Sequence, residues 1–269
     1  MTLTARLCTV LAIALLSACT ANIDMRPKTS TATEATPALS KPLAGAAQVI
    51  VVTAPTWDSP VGTLRRYERK GSHWQNLAPA HGVSLGRNGS AWGLGLHPLP
   101  QPGPQKREGD GRSPAGVFAL SSAFGYAAQQ PTAMTYQPMQ ASDYCIDVPG
   151  SPLYNRIVDS AHEAPADVAG STEPMRLDLH NQGDPRYALG IVVDHNPQAI
   201  PGMGSCIFMH LWRQVDEATA GCTAMPEAAM RALLDWLDPA QHPVLVLLPE
   251  SEYARLAEAW QLPSLEPRR

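Results

Sequence analysis

The sequence has no apolar run long enough to cross a bilayer as a helix. Its N-terminal run, Leu7–Leu16, is about ten residues, and a spanning helix needs roughly 20. Basic clusters are also lacking. The formal net charge is −4 and no Lys/Arg-rich segment stands out, which argues against nucleic acid as a partner, since binding it rests on clustered cations. No internal repeat is present. Tight metal-ligand spacing is missing as well: His180, Asp194 and His195 are the nearest approach to a donor set, but they are scattered over a loop and a strand end. Cysteine is scarce, at 5 of 269 residues. Proline, at 26, is abundant, so long helices should be few and irregular connections many.

Met1–Ala18 reads as a secretory signal, with Arg6 before the Leu7–Leu16 apolar core. It ends in Leu16-Ser17-Ala18-Cys19, which resembles the lipobox of bacterial lipoproteins. The resemblance implies cleavage before Cys19, lipidation of Cys19, and a membrane partner reached through that lipid anchor. Thr20 rather than Asp follows the cysteine, which by the same resemblance favours the outer membrane, on its periplasmic face. Residues 19–45 are rich in Thr, Ala, Pro and Ser without hydrophobic period, as a flexible tether would be. A folded domain is expected over residues 46–263. Cys8 leaves with the signal and Cys19 takes the lipid, so three thiols remain. In an oxidising compartment Cys145 and Cys206 can pair and leave Cys222 free, or both can stay reduced; sequence alone does not choose, because the bond depends on spatial geometry.

The periodicity gives many short strands and two late helices. Gln48–Thr53, Gly116–Leu120, Tyr144–Val148, Tyr187–Asp194, Ser205–Trp212 and Pro243–Leu248 read as strands, and Gly86–Leu96 as a strand–turn–strand region. Ser151–Gly183 and Asn196–Gly204 read as loops or mostly loops. Pro226–Leu237 is the best helix: Pro226 suits its first turn, and Met230, Leu233, Leu234 and Leu237 fall on one face. Ser251–Trp260 reads as a second. The expected class is mostly β with a few helices at its edge.

The chemistry concentrates at His210 and Cys222. His210 closes the apolar run Ser205–His210, and Cys222 follows in Thr219-Ala220-Gly221-Cys222. A thiol attacks as its thiolate, so a base must take its proton or its environment must stabilise the anion. His210 supplies the base if the intervening loop folds back. The start of the Pro226 helix supplies backbone N–H groups for the anion, and the amides of Gly221 and Cys222 are candidate oxyanion donors. Asp110 reads as a turn residue bonding its own backbone. Trp212 reads as packing, with a possible place lining the groove beside His210.

The segment from Met209-His210 to Thr219-Ala220-Gly221-Cys222 resembles the signature of the L,D-transpeptidase (YkuD-like) catalytic domain: a strand ending in His, a loop, then Ser/Thr-x-Gly-Cys. Glu108–Phe118 adds a second match through Gly109, Asp110, Pro114, Gly116 and Phe118, and Ser151–Arg156 after Asp147 a third. The resemblance covers roughly residues 46–263. It implies a β-rich sandwich- or barrel-like domain acting on peptidoglycan stem peptides. Cys222 would form an acyl-enzyme on a tetrapeptide donor, His210 would serve as base with a backbone carbonyl orienting it, and neither metal nor cofactor is implied. The chain departs from the commoner pattern at Ala220, where that pattern has His, and at Ala224, where it has Arg. Arg213 is the expected substitute for that arginine as a substrate contact, with Thr219 and Trp212 beside it, and Arg112 is a weaker choice. Two other outcomes fit the same residues: a hydrolase on the same scaffold, releasing tripeptide or detaching a wall-bound lipoprotein, and a wall-binding lipoprotein without catalysis.

Overall fold

The computed structural model describes residues 41–77 and 79–265. The signal, Cys19 and most of the tether lie outside them. The strands are β1 (Gln48–Ala54), β2 (Val61–Lys70), β3 (His73–Asn76), β4 (His81–Ser84), β5 (Ser90–Trp92), β6 (Ser113–Gly125), β7 (Tyr136–Pro138), β8 (Asp143–Cys145), β9 (Ile157–Asp159), β10 (Glu173–Pro174), β11 (Leu189–Val193), β12 (Phe208–Leu211), β13 (Thr223–Met225) and β14 (Val244–Pro249). The helices are α1 (Pro165–Val168), α2 (Leu177–His180), α3 (Glu227–Leu234) and α4 (Glu250–Leu256).

The main sheet runs β1-β14-β6-β11-β12-β13-β4-β2, and β2 pairs back onto β1, so the sheet closes into a barrel. Closure removes the unpaired edges that an open sheet would expose. β1 and β14 pair in parallel, from Val49↔Val244 to Ala54↔Pro249. β14 is apolar throughout and β1 is apolar over Val49–Val52, and both are buried at every residue, as parallel strands covered on both faces tend to be. The mostly-β expectation with a few helices is met. In α3, Met230, Leu233 and Leu234 are buried on one face. Burying a side chain of this size stabilises by about 1.5–3 kcal/mol.

Several boundaries move. The strand expected at Gly116–Leu120 is the thirteen-residue β6. Ser121 and Ser122 interrupt its apolar run, but the ladder continues because β11 pairs with this half of β6 and the Ser121 hydroxyl donates to Asp194 at 2.6 Å. The tether expected to reach Gly45 stops earlier: Leu43 is buried in the core, and Arg69 donates to the carbonyls of Ala46 and Leu43. The segment Ser151–Gly183 carries β9, α1, β10 and α2, each too short to leave a period.

A three-stranded sheet, β10-β8-β9, stands apart from the barrel. Cys145 at the end of β8 is disulfide-bonded to Cys206, just before β12, with Cα atoms 5.9 Å apart. The pairing left open by the sequence is thus made, and Cys222 is free. A second core of Phe124, Met139, Met175, Leu177, Tyr187 and Phe208 gathers around the bridge, and Cys222 belongs to it.

Candidate active site

The local fold of β12 and β13 brings His210 and Cys222 to one wall. The two strands pair in parallel, Met209↔Thr223 and His210↔Ala224. A parallel pair needs a crossover connection, and residues 212–222 make it, returning the chain to the start of β12. Cys222 therefore stands level with Phe208. Cys222 enters β13 beside Phe208, whose N–H reaches its Sγ, and Cys222 and His210 line one cavity.

His210 is buried and its Nδ1 donates to the Leu211 carbonyl at 2.8 Å. A carbonyl only accepts, so the proton sits on Nδ1 and Nε2 keeps its lone pair for a proton in transit. Burial holds the imidazole down to about 4, neutral at physiological pH. Its cross-strand partner on β11 is Gly190. The Phe124 ring leaves no room for a side chain there: a Cβ would stand 2.2 Å from it.

Cys222 is also buried, and its thiol is pushed up to about 12, first by burial and then by the negative charge of Glu173. The Phe208 N–H at 3.3 Å from Sγ works the other way. The resting thiol points at the Cys206 carbonyl, 3.6 Å away, and is not hydrogen-bonded to His210. The pair is a neutral thiol and a neutral imidazole. The expectation of a helix start stabilising the thiolate is corrected: β13 intervenes between Cys222 and α3.

The backbone of Cys222 is pinned from two sides. The Thr219 hydroxyl donates to its carbonyl at 2.7 Å and the Ser113 hydroxyl at 3.0 Å. Thr219 Oγ1 in turn accepts the Gly221 N–H at 3.0 Å, and Ser113 accepts the Gly86 N–H. The Gly221 amide is thereby committed, which removes it as an oxyanion donor. Gly221 instead allows close approach, since a Cβ there would lie 3.0 Å from the Arg112 carbonyl.

A cavity of about 330 Å³ opens on this wall. Cys222, His210, Thr219 and Ala220 line it, together with Glu173, Tyr187, Arg186, His180 and Asn181. Arg213 and Trp212 do not. Arg213 lies on the surface paired with Glu217 one helical turn away in sequence, and the Trp212 indole donates to the Ser84 hydroxyl. Arg112 is held by Asp58 and by the carbonyls of Trp57 and Ser90. The arginine that lines the cavity is Arg186, whose carbonyl accepts the N–H of Leu211, the residue after His210. Sequence reading passed over Arg186, Glu173 and Tyr187. The available signal was that Arg186 and Tyr187 directly precede the strand that pairs with the His210 strand.

Asp110 behaves as a turn residue, accepting the N–H groups of Arg107 and Arg112 and pairing with Lys106. His195 is packed, its Nδ1 accepting the Leu94 N–H.

The model of the L,D-transpeptidase catalytic-domain family (YkuD) matches residues 83–246, from β4 into β14. The span holds the whole cavity wall. No curated protein and no solved structure matches the chain. With well over half of the 269 residues matched, and a closed β-barrel carrying cysteine and histidine on one cavity, the chain belongs to the L,D-transpeptidase catalytic-domain family.

Proposed function

We propose that the chain is a cysteine-dependent L,D-transpeptidase that acts on peptidoglycan stem tetrapeptides through a Cys222 acyl-enzyme. The observation that supports this best is the register of β12 against β13. It puts a thiol and an imidazole on one cavity wall, and the Nδ1 bond to Leu211 leaves Nε2 unprotonated. As Sγ attacks the carbonyl of the donor's third residue, its proton passes to His210 Nε2. The carbonyl π pair moves onto oxygen, where the Cys222 amide is the donor left after Gly221 is committed. Collapse breaks the L,D amide bond, and the proton on Nε2 goes to the departing D-Ala amine. An acceptor amine then attacks the thioester, giving its proton to Nε2, and the C–S bond breaks as the thiol regains that proton.

Because the resting thiol is un-ionised, proton transfer accompanies attack rather than preceding it. Arg186 takes the role of the arginine that Ala224 lacks and holds an acidic group of the substrate. We place this chemistry on the periplasmic face of the outer membrane, anchored through Cys19; Cys19→Ala should move the protein out of the membrane fraction, and retention there would contradict the anchor. Acyl-enzyme formation is tested by intact-mass spectrometry of the soluble domain with tetrapeptide. An adduct on Cys222 lacking D-Ala supports the reading. Release of free tripeptide without cross-linked product would favour the hydrolytic outcome.

A further inference from the structure

A second cavity lies between the β2–β3 hairpin and the segment that follows α4, and the acyl-transfer steps do not use it. It holds about 750 Å³, a size typical of small-molecule sites. It shares no lining residue with the cavity beside Cys222 and His210. β3 ends the sheet and pairs with β2 alone, so one side of the cavity is a sheet edge. Tyr67 and Leu262 are buried in its lining, and the Tyr67 hydroxyl is spent on the Ser264 carbonyl at 3.1 Å. The Trp74 indole is fixed by its Nε1–H bond to the Gln261 carbonyl at 3.0 Å.

The charge of this lining is already committed. Among the described residues its one arginine or lysine is Arg69, and it has no carboxylate. The Arg69 guanidinium stacks over the Trp74 ring, 4.1 Å from its centroid. Its Nε and Nη2 donate to the carbonyls of Ala46 and Leu43 at 2.8 and 3.3 Å. An anion would have to compete with those carbonyls, and a cation finds no partner. What remains is an imidazole and two carboxamides: the side chains of His73, Gln75 and Gln261 are exposed and make no hydrogen bond among the described residues. Each carboxamide offers two donors and an acceptor. A ligand of hydroxyl and acetamido groups, with C–H faces between them, complements these groups and the indole.

We propose that this groove binds a neutral N-acetylhexosamine strand. The chain would then hold the glycan of the wall at one place and act on its stem peptides at another. The ligand class stands on the lining; its link to the wall rests on the acyl-transfer reading above. Two sites on one polymer raise the effective concentration of stem peptides at Cys222 without any new contact there.

The test is calorimetric titration of the full chain, purified in detergent, with tetra-N-acetylchitotetraose, an uncharged strand that carries no peptide. The variant replaces His73, Gln75 and Gln261 together by Ala, since these exposed side chains hold no other element in place. Wild type should bind saturably. The triple variant should bind about tenfold more weakly or worse, as the loss of several neutral hydrogen bonds would give. Cys222→Ala should bind as wild type does, because its cavity is separate. The same strand stripped of its acetyl groups, and therefore cationic, should also bind about tenfold more weakly. No binding by wild type, equal binding by the triple variant, or equal binding of the cationic strand would overturn the groove, whether or not tetrapeptide acylates Cys222. Saturable, variant-sensitive binding with no Cys222 adduct would support the groove and overturn the acyl-transfer reading instead.

Discussion

At the scale of single residues, the proposed nucleophile is un-ionised at rest and the proposed base is neutral and able to take a proton. Burial pushes both groups toward their neutral forms, Cys222 up to about 12 and His210 down to about 4. That is the reverse of a standing thiolate–imidazolium pair, and it makes reactivity depend on the base. His210→Gln should lower kcat/KM by about 10²–10⁴-fold while leaving the protein folded; a loss under tenfold would remove His210 from proton transfer. Thr219→Val withdraws one of the two hydroxyls on the Cys222 carbonyl and leaves the Gly221 N–H unpaired. The expected cost is about 1–3 kcal/mol of stability, from the stranded donor, with a loss of kcat, because Ser113 alone then fixes the nucleophile's backbone. An unchanged melting temperature and unchanged kcat would contradict that role. Arg213→Ala should change neither, since its pair with Glu217 is exposed to solvent and screened by it.

At the scale of elements, the crossover between β12 and β13 and the disulfide decide the geometry. The bridge spans 61 residues of sequence and fastens the small sheet to the chain entering β12. Cys206, at φ +54°, also presents its carbonyl to the Cys222 thiol. Replacing Cys145 and Cys206 together by Ser should cost about 2–4 kcal/mol, seen as a lower denaturant midpoint. It should also reduce the rate of Cys222 acylation. Unaltered acylation in the folded double variant would show that the bridge serves stability alone.

The same elements show what the sequence could and could not disclose. The long apolar strands and α3 were legible because their periods are carried by Val, Leu and Met. β2 was not: its Arg65, Arg66, Glu68 and Arg69 are charged side chains lying along a half-buried strand, and only Leu64 and Tyr67 are fully buried. His210 and Cys222 were legible from local motif, and Thr219 with them. Glu173, Tyr187 and Arg186 were not, because they come to the cavity through the pairing of β11 with β12 and the folding-over of β10. Arg213 attracted notice through nearness in sequence to His210, but its nearest partner is Glu217, in its own loop.

At the scale of the whole molecule, acid should weaken the fold. His97, His195 and His210 are all buried and held down to about 4. In the unfolded chain they charge near 6.5. A base whose folded value is depressed favours unfolding as protons bind, so the stability present above about pH 6.5 is lost progressively toward pH 4. Glu173, raised to about 7, acts in the opposite sense, as do Asp143 and Asp194, which burial also raises, while Asp178 and Asp184, held down beside Arg176 and Arg186, act with the histidines. Thermal melts should show a lower midpoint at pH 5 than at pH 7.5; equal midpoints would mean these histidines titrate normally. The central claim concerns one bond, the thioester on Cys222. It is tested most directly by mass spectrometry of disaccharide-tetrapeptide incubated with the soluble domain, with Cys222→Ala as control. The account predicts a cross-linked dimer lacking one D-Ala, formed by wild type and absent with the variant. The same dimer formed by the Cys222→Ala protein, or no product and no Cys222 adduct with wild type, would contradict it.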